Sequence, residues 1–209
     1  SPEVAFVPVG PWNTDGVIIV SPFASEAGDR YARDLISSGF PAIYAGDRDA
    51  GPAVVADNVG GIRQALEHLV EHGHRQIAFV AGRQSVYSDS SVRLRAFETE
   101  LRSLNLPFDP NLVAYGLHTY EGGRQAIRQI ISRGAKFTAV MASNDRSAIG
   151  VLDGLGQAGF VVPQDIALIG FDDRLEARAL VPSLTTVHYP MFGLGYPAVE
   201  LLLRAIKGE

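Results

Sequence analysis

The segment Gln64–Val80 reads QALEHLVEHGHRQIAFV, and within it His68, Glu71 and His72 spell H-x-x-E-H, a zinc-protease pattern, with His74 two residues on. Histidines four apart lie on one helix face and could hold a metal between them. A catalytic zinc needs a third protein ligand and a sheltered cavity, however. If 59–72 is a helix, Ile62, Leu66, Leu69 and Val70 form its apolar stripe, and the two histidines fall roughly 110–120° away from it, on a solvated face. The plainer account makes this a helix end, with Gly73 as the left-handed residue after it and His72 in the last turn, where the helix dipole favours a cation. A second pattern, Gly154-Leu-Gly156-Gln-Ala-Gly159, spells G-x-G-x-x-G. A dinucleotide fingerprint must follow a strand and open a helix. Here the pattern closes a helix that begins after Asn144, and Gly159 is placed to terminate it. Neither G-x-S-x-G nor a phosphate-binding P-loop occurs.

The remaining polar candidates are carboxylates and one arginine. Asp145, Asp172 and Asp173 could do acid-base work or cap elements. Ser143, Asn144 and Asp145 match helix N-cap chemistry, which favours a structural role for Asp145. Asp172 directly follows an apolar run, with no obvious apolar helix after it, so ligand contact is the better reading there. Arg93 lies early in a helical stretch, 89–104. It is either a solvated arginine, as Arg95 and Arg102 would be, or a fork of donors facing a ligand. Composition does not separate the two.

These residues need elements to position them. Apolar runs VIIV (17–20), AIYA (42–45), QIAFV (76–80), LVAY (112–115), FTAVMA (137–142) and IALIGF (166–171) alternate with helical patterns at 24–38, 59–72, 89–104, 120–133, 145–158 and 191–207. Runs that are apolar throughout fit strands covered on both faces, and the order predicts an α/β doubly wound fold with parallel sheets. Loop punctuation falls at 46–52 and 106–110, the former the better candidate for a lobe boundary. Ligands in such folds bind beyond the carboxyl ends of the strands. Those ends carry Ser21 to Phe23, Asp47-Arg48, the polar stretch 85–93, His118 to Tyr120, Asn144 to Arg146, and Asp172 to Arg174. They predict a polar cleft with some aromatic surface, suited to a small hydroxylated ligand.

Composition narrows the function classes. The chain has 209 residues, 46% hydrophobic, enough for one large core or two smaller lobes. Its net charge of −5, from 23 carboxylates against 18 Lys and Arg, weakens the case for a nucleic-acid surface on this segment. Cysteine is absent, which removes disulfides, thiolate metal sites and a Cys nucleophile. No apolar run has the length to span a bilayer, so no membrane partner is expected. Ser1-Pro2 reads as a fragment boundary, which leaves a removed leader open.

The motifs also carry a resemblance. VVADNVGGIRQALEHLVEHGHRQIAFVAG (54–82), RLRAF (93–97), TAVMASNDRSAIGVLDGLGQAGFVVPQDIALIGFDD (138–173) and PSLTTVHYP (182–190) resemble the core of the LacI/GalR family of transcriptional regulators, in family order and spacing over 15–209. The resemblance implies a periplasmic-binding-protein type I-like fold of two Rossmann-like lobes. The N-terminal lobe would comprise 1–56 with 188–209 and the C-terminal lobe 57–187. A sugar or related metabolite would bind between them as effector, with no cofactor and no enzyme activity. Asp57-Asn58 would begin the first crossover, and Val187 to Pro190 would return the chain.

By motif, the resemblance assigns effector contact to Arg93, with Asp89 one turn before it. It adds His118, where many members place a ring, with Tyr120 nearby, and Asn144 and Asp172 as polar contacts. Ser21 and Phe23, with Asp47, would contribute from the N-terminal lobe. It further implies a cytoplasmic homodimer that meets DNA only through a helix-turn-helix segment outside this sequence. Two departures stand out. Too little chain precedes Asp15 for the first strands and helices of the N-terminal lobe, so that lobe is expected to be incomplete. His118 replaces the usual Trp or Phe, which predicts a more polar or a pH-sensitive contact. A sensor module of a larger signalling protein and a transporter's solute-binding protein are the alternatives.

Overall fold

The computed structural model describes residues 8–20, 26–46, 51–83 and 89–209. Its backbone contacts divide the chain into two compact units, Ser1–Ala56 with Pro190–Glu209, and Asp57–Tyr189. The first is built on a parallel sheet of β1 (Val17–Val20), β2 (Ala42–Ala45) and β3 (Ala53–Val54), in that order. Helix α1 (Glu26–Ser37) connects β1 to β2, and the C-terminal helix α7 (Met191–Lys207) packs on all three strands. Ile19, Ala32, Ala42 and Tyr44 form its core.

The second unit contains β4 (Ile77–Ala81), β5 (Val113–Tyr115), β6 (Ala139–Ala142), β7 (Ala167–Asp172) and β8 (Thr185–His188). They form one parallel sheet in the order β5-β4-β6-β7-β8. Helices α2 (Asn58–Glu71) and α3 (Asp89–Ser103) cover one face, while α4 (Tyr120–Ser132) and α5 (Asp145–Gln157) cover the other. Along β4, Ile77, Phe79 and Ala81 enter the core beneath α2 and α3, and Ala78 and Val80 enter the core beneath α4 and α5. A strand buried on both sides cannot alternate with polar residues, which is why these runs are continuously apolar in sequence. The α/β fold with parallel sheets is the one the sequence predicts.

Helix α2 shows how local sequence sets the boundaries. The Asp57 side chain caps its start, Oδ1 accepting from the Gly60 N–H at 2.7 Å. Ile62, Ala65, Leu66 and Leu69 bury its inner face, each large aliphatic contributing about 1.5–3 kcal/mol. Gly73, at φ +89, donates to Val70 O at 3.0 Å, and His74 N–H to Leu69 O at 3.0 Å. That pair of bonds is a Schellman motif. His72 Nδ1 lies 2.8 Å from His68 O, and both histidines are exposed. Among the described residues no group of three or more His, Asp or Glu is placed to hold a metal ion. Helix α5 ends the same way: Gly159, at φ +88, donates to Gly156 O, and Phe160 N–H to Leu155 O. The G-x-G-x-x-G run is therefore a helix terminus.

Among the described elements, four escape the sequence pattern: β3, β8, the short helix α6 (Leu175–Arg178) and a 3-10 turn at Pro110–Leu112. Strand β3 is only two residues long, and β8 is partly exposed and carries Thr185, Thr186 and His188, so neither shows a long apolar run. Val187 and His188, expected in the segment that returns the chain, pair in β8 with Phe171 and Asp172. No described helix is long and apolar enough to cross a membrane.

Candidate functional site

In the second unit β4 is the first strand in sequence, with β5 on one side and β6 on the other. The next element after β4, α3, packs on one face, and the next after β5, α4, on the opposite face. Chain paths diverging from neighbouring strands open a crevice at the carboxyl ends of those strands, the topological switch point of a 2-1-3-4-5 sheet. Gly82 follows β4, His118 follows β5, and Ser143-Asn144 follows β6 at that edge.

Arg93 is the anchor. On α3, Ser90, Arg93, Ala96, Phe97, Glu100 and Leu101 form the buried face, so the arginine occupies a position where a core residue would sit. It is 4% exposed, whereas Arg95 and Arg102 are exposed, and this removes the alternative of a solvated arginine. A buried guanidinium must be paired. Nε donates to Asn58 Oδ1 at 2.8 Å, and Nη1 donates to the Ser143 carbonyl at 2.5 Å. Nη1 also lies 3.5 Å from Asp172 Oδ1. The guanidinium stands 3.7 Å from the Phe171 ring centroid and 5.3 Å from that of Tyr189. Asn58 Nδ2 in turn donates to Asp89 Oδ1 at 2.8 Å.

Burial dominates the electrostatics. It pushes the Asp172 carboxyl up to about 6, against the lowering pull of Arg93. It also pulls Arg93 down, opposed chiefly by Asp172 and then Asp89. The His118 imidazole is lowered to about 4, first by burial and then by the Arg93 charge. Burial thus favours the neutral imidazole near pH 7, in keeping with the polar alternative of the two contacts expected from its replacement of Trp or Phe. Its Nε2 is buried with no partner among the described residues, and so is the Ser143 Oγ. Unpartnered polar atoms at a strand-end crevice are acceptors and donors still to be satisfied, by water or by a ligand.

The backbone is strained at the same place. The non-glycine residues at positive φ include Leu117 (55°), His118 (58°), Asp172 (121°) and Asp173 (58°), all at this edge of the sheet. Such conformations cost of order 1–3 kcal/mol each and cluster where side chains are held for function.

The structure thus brings together Arg93, Asp172, Asp89, His118 and Asn144. Asn144 caps α5, its Oδ1 accepting from the Ser147 N–H at 2.9 Å while Nδ2 donates to the His118 carbonyl at 3.4 Å. Tyr120 is not part of the group. It opens α4, is exposed, and its hydroxyl bonds Asp153 of α5. Ser21, Phe23 and Asp47 lie outside the described residues. Asp145 is not the cap of α5, which is Asn144; its role is still structural, since its carboxylate accepts from Arg174 N–H at 2.8 Å and Thr186 Oγ1 at 2.6 Å, tying β8 and the segment after β7 to α5. Sequence reasoning missed Asn58, Phe171 and Tyr189, which touch Arg93 only through tertiary contacts.

Comparison with known proteins follows the same lines. The periplasmic binding protein-like domain family matches residues 66–209. The regulator CelR of Thermobifida fusca is 34% identical over 202 residues, covering 94% of this chain and 58% of that protein. GalR of Escherichia coli is 37% identical over 150 residues, covering 72% of this chain and 43% of GalR. This chain therefore spans about half the length of these curated relatives. Among solved structures, the CelR–cellobiose complex superposes with a TM-score of 0.84 at 34% identity, over 93% of this chain and 60% of that one. A LacI-family sugar-binding regulator from Escherichia coli, complexed with phosphate, superposes with a TM-score of 0.81 at 28% identity, over 95% and 71%. These relatives are transcriptional regulators.

Proposed function

Because this chain belongs to the periplasmic binding protein-like domain family, in its LacI/GalR-type regulator branch, we propose that it is the effector-binding domain of a DNA-binding transcriptional regulator. The effector is a sugar or a sugar-like metabolite. The second unit, Asp57–Tyr189, is read as the C-terminal lobe, two residues longer than the expected 57–187 because His188 pairs in β8, and 1–56 with 190–209 as part of the N-terminal lobe. The observation that carries the reading is the buried Arg93 beside Asp172, at a switch point where His118 Nε2 and Ser143 Oγ have no partner among the described residues. A guanidinium fork and a carboxylate suit the donor–acceptor pattern of vicinal hydroxyls, and the Phe171 and Tyr189 rings suit the apolar face of a pyranose. That CelR is solved with cellobiose supports a saccharide.

The regulator is read as a cytoplasmic homodimer, contacting DNA through a segment outside this sequence, since the net charge of −5 weakens the case for a phosphate-binding surface on this one. Sugar binding would shift the populations of two arrangements of the lobes and so bias the attached DNA-binding heads. A thermal-shift screen of the full-length protein against cellobiose and a panel of mono- and disaccharides tests the reading. A ligand at 100 times its Kd stabilises by about 2.7 kcal/mol. If no saccharide moves the melting temperature, the reading fails.

A further inference from the structure

The chain enters the second unit at Asp57 and leaves it at Tyr189. Arg93 touches both ends of that unit: its Nε bonds Asn58, one residue past the entry, and its guanidinium lies 5.3 Å from the ring of Tyr189, the last residue. We propose that Asn58 is a positioning residue that fixes the Arg93 guanidinium for the effector, and that through Arg93 it ties effector binding to both segments by which the chain enters and leaves this unit. The proposal rests on Arg93 as the effector contact, the reading given above. Its first test needs no effector.

Asn58 is 2% exposed, and a buried amide is costly unless both its ends are bonded. Only one orientation satisfies both. The Arg93 Nε–H must find an acceptor, and the Asp89 carboxylate must receive a donor. Oδ1 therefore faces Arg93 and Nδ2 faces Asp89, as observed at 2.8 Å each. A flipped amide would set N–H against N–H and oxygen against oxygen. With Nε held there and Nη1 on the Ser143 carbonyl, the plane of the guanidinium is fixed over Phe171. The neighbouring Asp57 caps α2, so the Asn58 bond bears on the first turn of that helix. On the other side, Phe171 and Tyr189 stand 6.2 Å apart with the guanidinium against both. A hydroxyl or carboxylate that draws Arg93 toward itself must strain the Asn58 bond and the Tyr189 contact together. Neither residue needs to touch the effector for this.

Amide hydrogen exchange on the full-length protein, first without ligand, tests the linkage in wild type, Asn58→Leu, Arg93→Lys and the double variant. Asn58→Leu should speed exchange about tenfold at 57–62 and also at 185–189. Adding it to Arg93→Lys should change 185–189 no further, because the path runs through the arginine. A purely structural asparagine would leave 185–189 unmoved or act additively with Arg93→Lys, and either result overturns the proposal. Should Asn58→Leu fail to fold, Asn58→Ser carries the same comparison. A second arm adds cellobiose. Where it binds wild type, Asn58→Leu should weaken it at least several-fold, and equal affinity overturns the proposal. If cellobiose and every other saccharide leave wild type unchanged, the sugar reading fails while the ligand-free exchange still decides the role of Asn58.

Discussion

Gly82 and His118 share one space: a Cβ built at Gly82 would sit 2.0 Å from His118 Nε2. The same Cβ would lie 2.4 Å from Ser90 Oγ. The imidazole thus closes over the end of β4 only because that position has no side chain. This packing is what holds the ring at the switch point, keeps it out of water and lowers its affinity for protons.

Gly82→Ala should therefore expel the imidazole and weaken effector binding, since a ring cannot occupy a position 2.0 Å from carbon. Released to solvent, His118 should titrate near 6.5 in place of about 4. An NMR pH titration of the ring reads this directly. A His118 still titrating near 4 in Gly82→Ala would show that the glycine does not seat it.

Asp172 carries a pH signature. Its folded value is raised from the ordinary 3.8 to about 6. The folded state then binds the proton more tightly, so the contribution of this group to stability is complete below 3.8 and is lost as pH rises through 6. Between pH 4 and pH 7 the wild type should lose stability relative to Asp172→Asn by on the order of 2 kcal/mol. Asp173, held near 2 by Arg178 and then His188, acts with the opposite sign, but it is common to both proteins and cancels. Urea denaturation of both proteins at the two pH values checks this. Parallel changes would show that Asp172 titrates normally.

Arg93→Ala removes the partner from a buried pair and leaves Asp172, Asn58 Oδ1 and the Ser143 carbonyl unsatisfied. The expected loss is about 3–5 kcal/mol of stability, together with effector affinity. Urea denaturation measures the first and calorimetry with cellobiose the second. Unchanged affinity in a folded variant would remove Arg93 from the site.

The scaffold was more legible in the sequence than the site. The run 76–80 announced a strand because both faces of β4 are buried, and Gly73 and Gly159 announced helix ends because each adopts positive φ. Arg93 could be placed on a helix, but its burial depends on the aromatic rings of Phe171 and Tyr189, some 80 to 100 residues further along. Asn58 read only as the start of a helix, since its bond to Arg93 spans 35 residues. Tyr120 read as a neighbour of His118. The backbone at Leu117 and His118 is left-handed and Thr119 then caps α4, so Tyr120 begins the helix and bonds Asp153 instead. Short-range pattern specifies elements, whereas the site is made where elements from distant parts of the chain converge.

The glycines of α5 make a prediction of opposite signs within one helix. At Gly150 a Cβ would lie 1.9 Å from the Tyr120 carbonyl oxygen and 3.0 Å from Arg124 N, both backbone atoms of α4. The reverse approach occurs at Gly123, where a Cβ would lie 2.1 Å from the Ser147 carbonyl oxygen. Helices α4 and α5 are in contact along their length through these positions, so Gly150→Ala must push them apart, at a cost of about 1–3 kcal/mol or more. Gly156, on the same helix and inside the G-x-G-x-x-G run, has nothing within 4 Å of its Cβ position. There alanine only restricts the unfolded chain and favours the helix, and Gly156→Ala should gain about 0.4–1 kcal/mol. If Gly156 instead met a ligand phosphate, as a dinucleotide fingerprint would require, alanine would impair binding without this gain. Denaturant unfolding of the two variants separates these accounts, and a loss at Gly156 or a gain at Gly150 would contradict the helix contact described here.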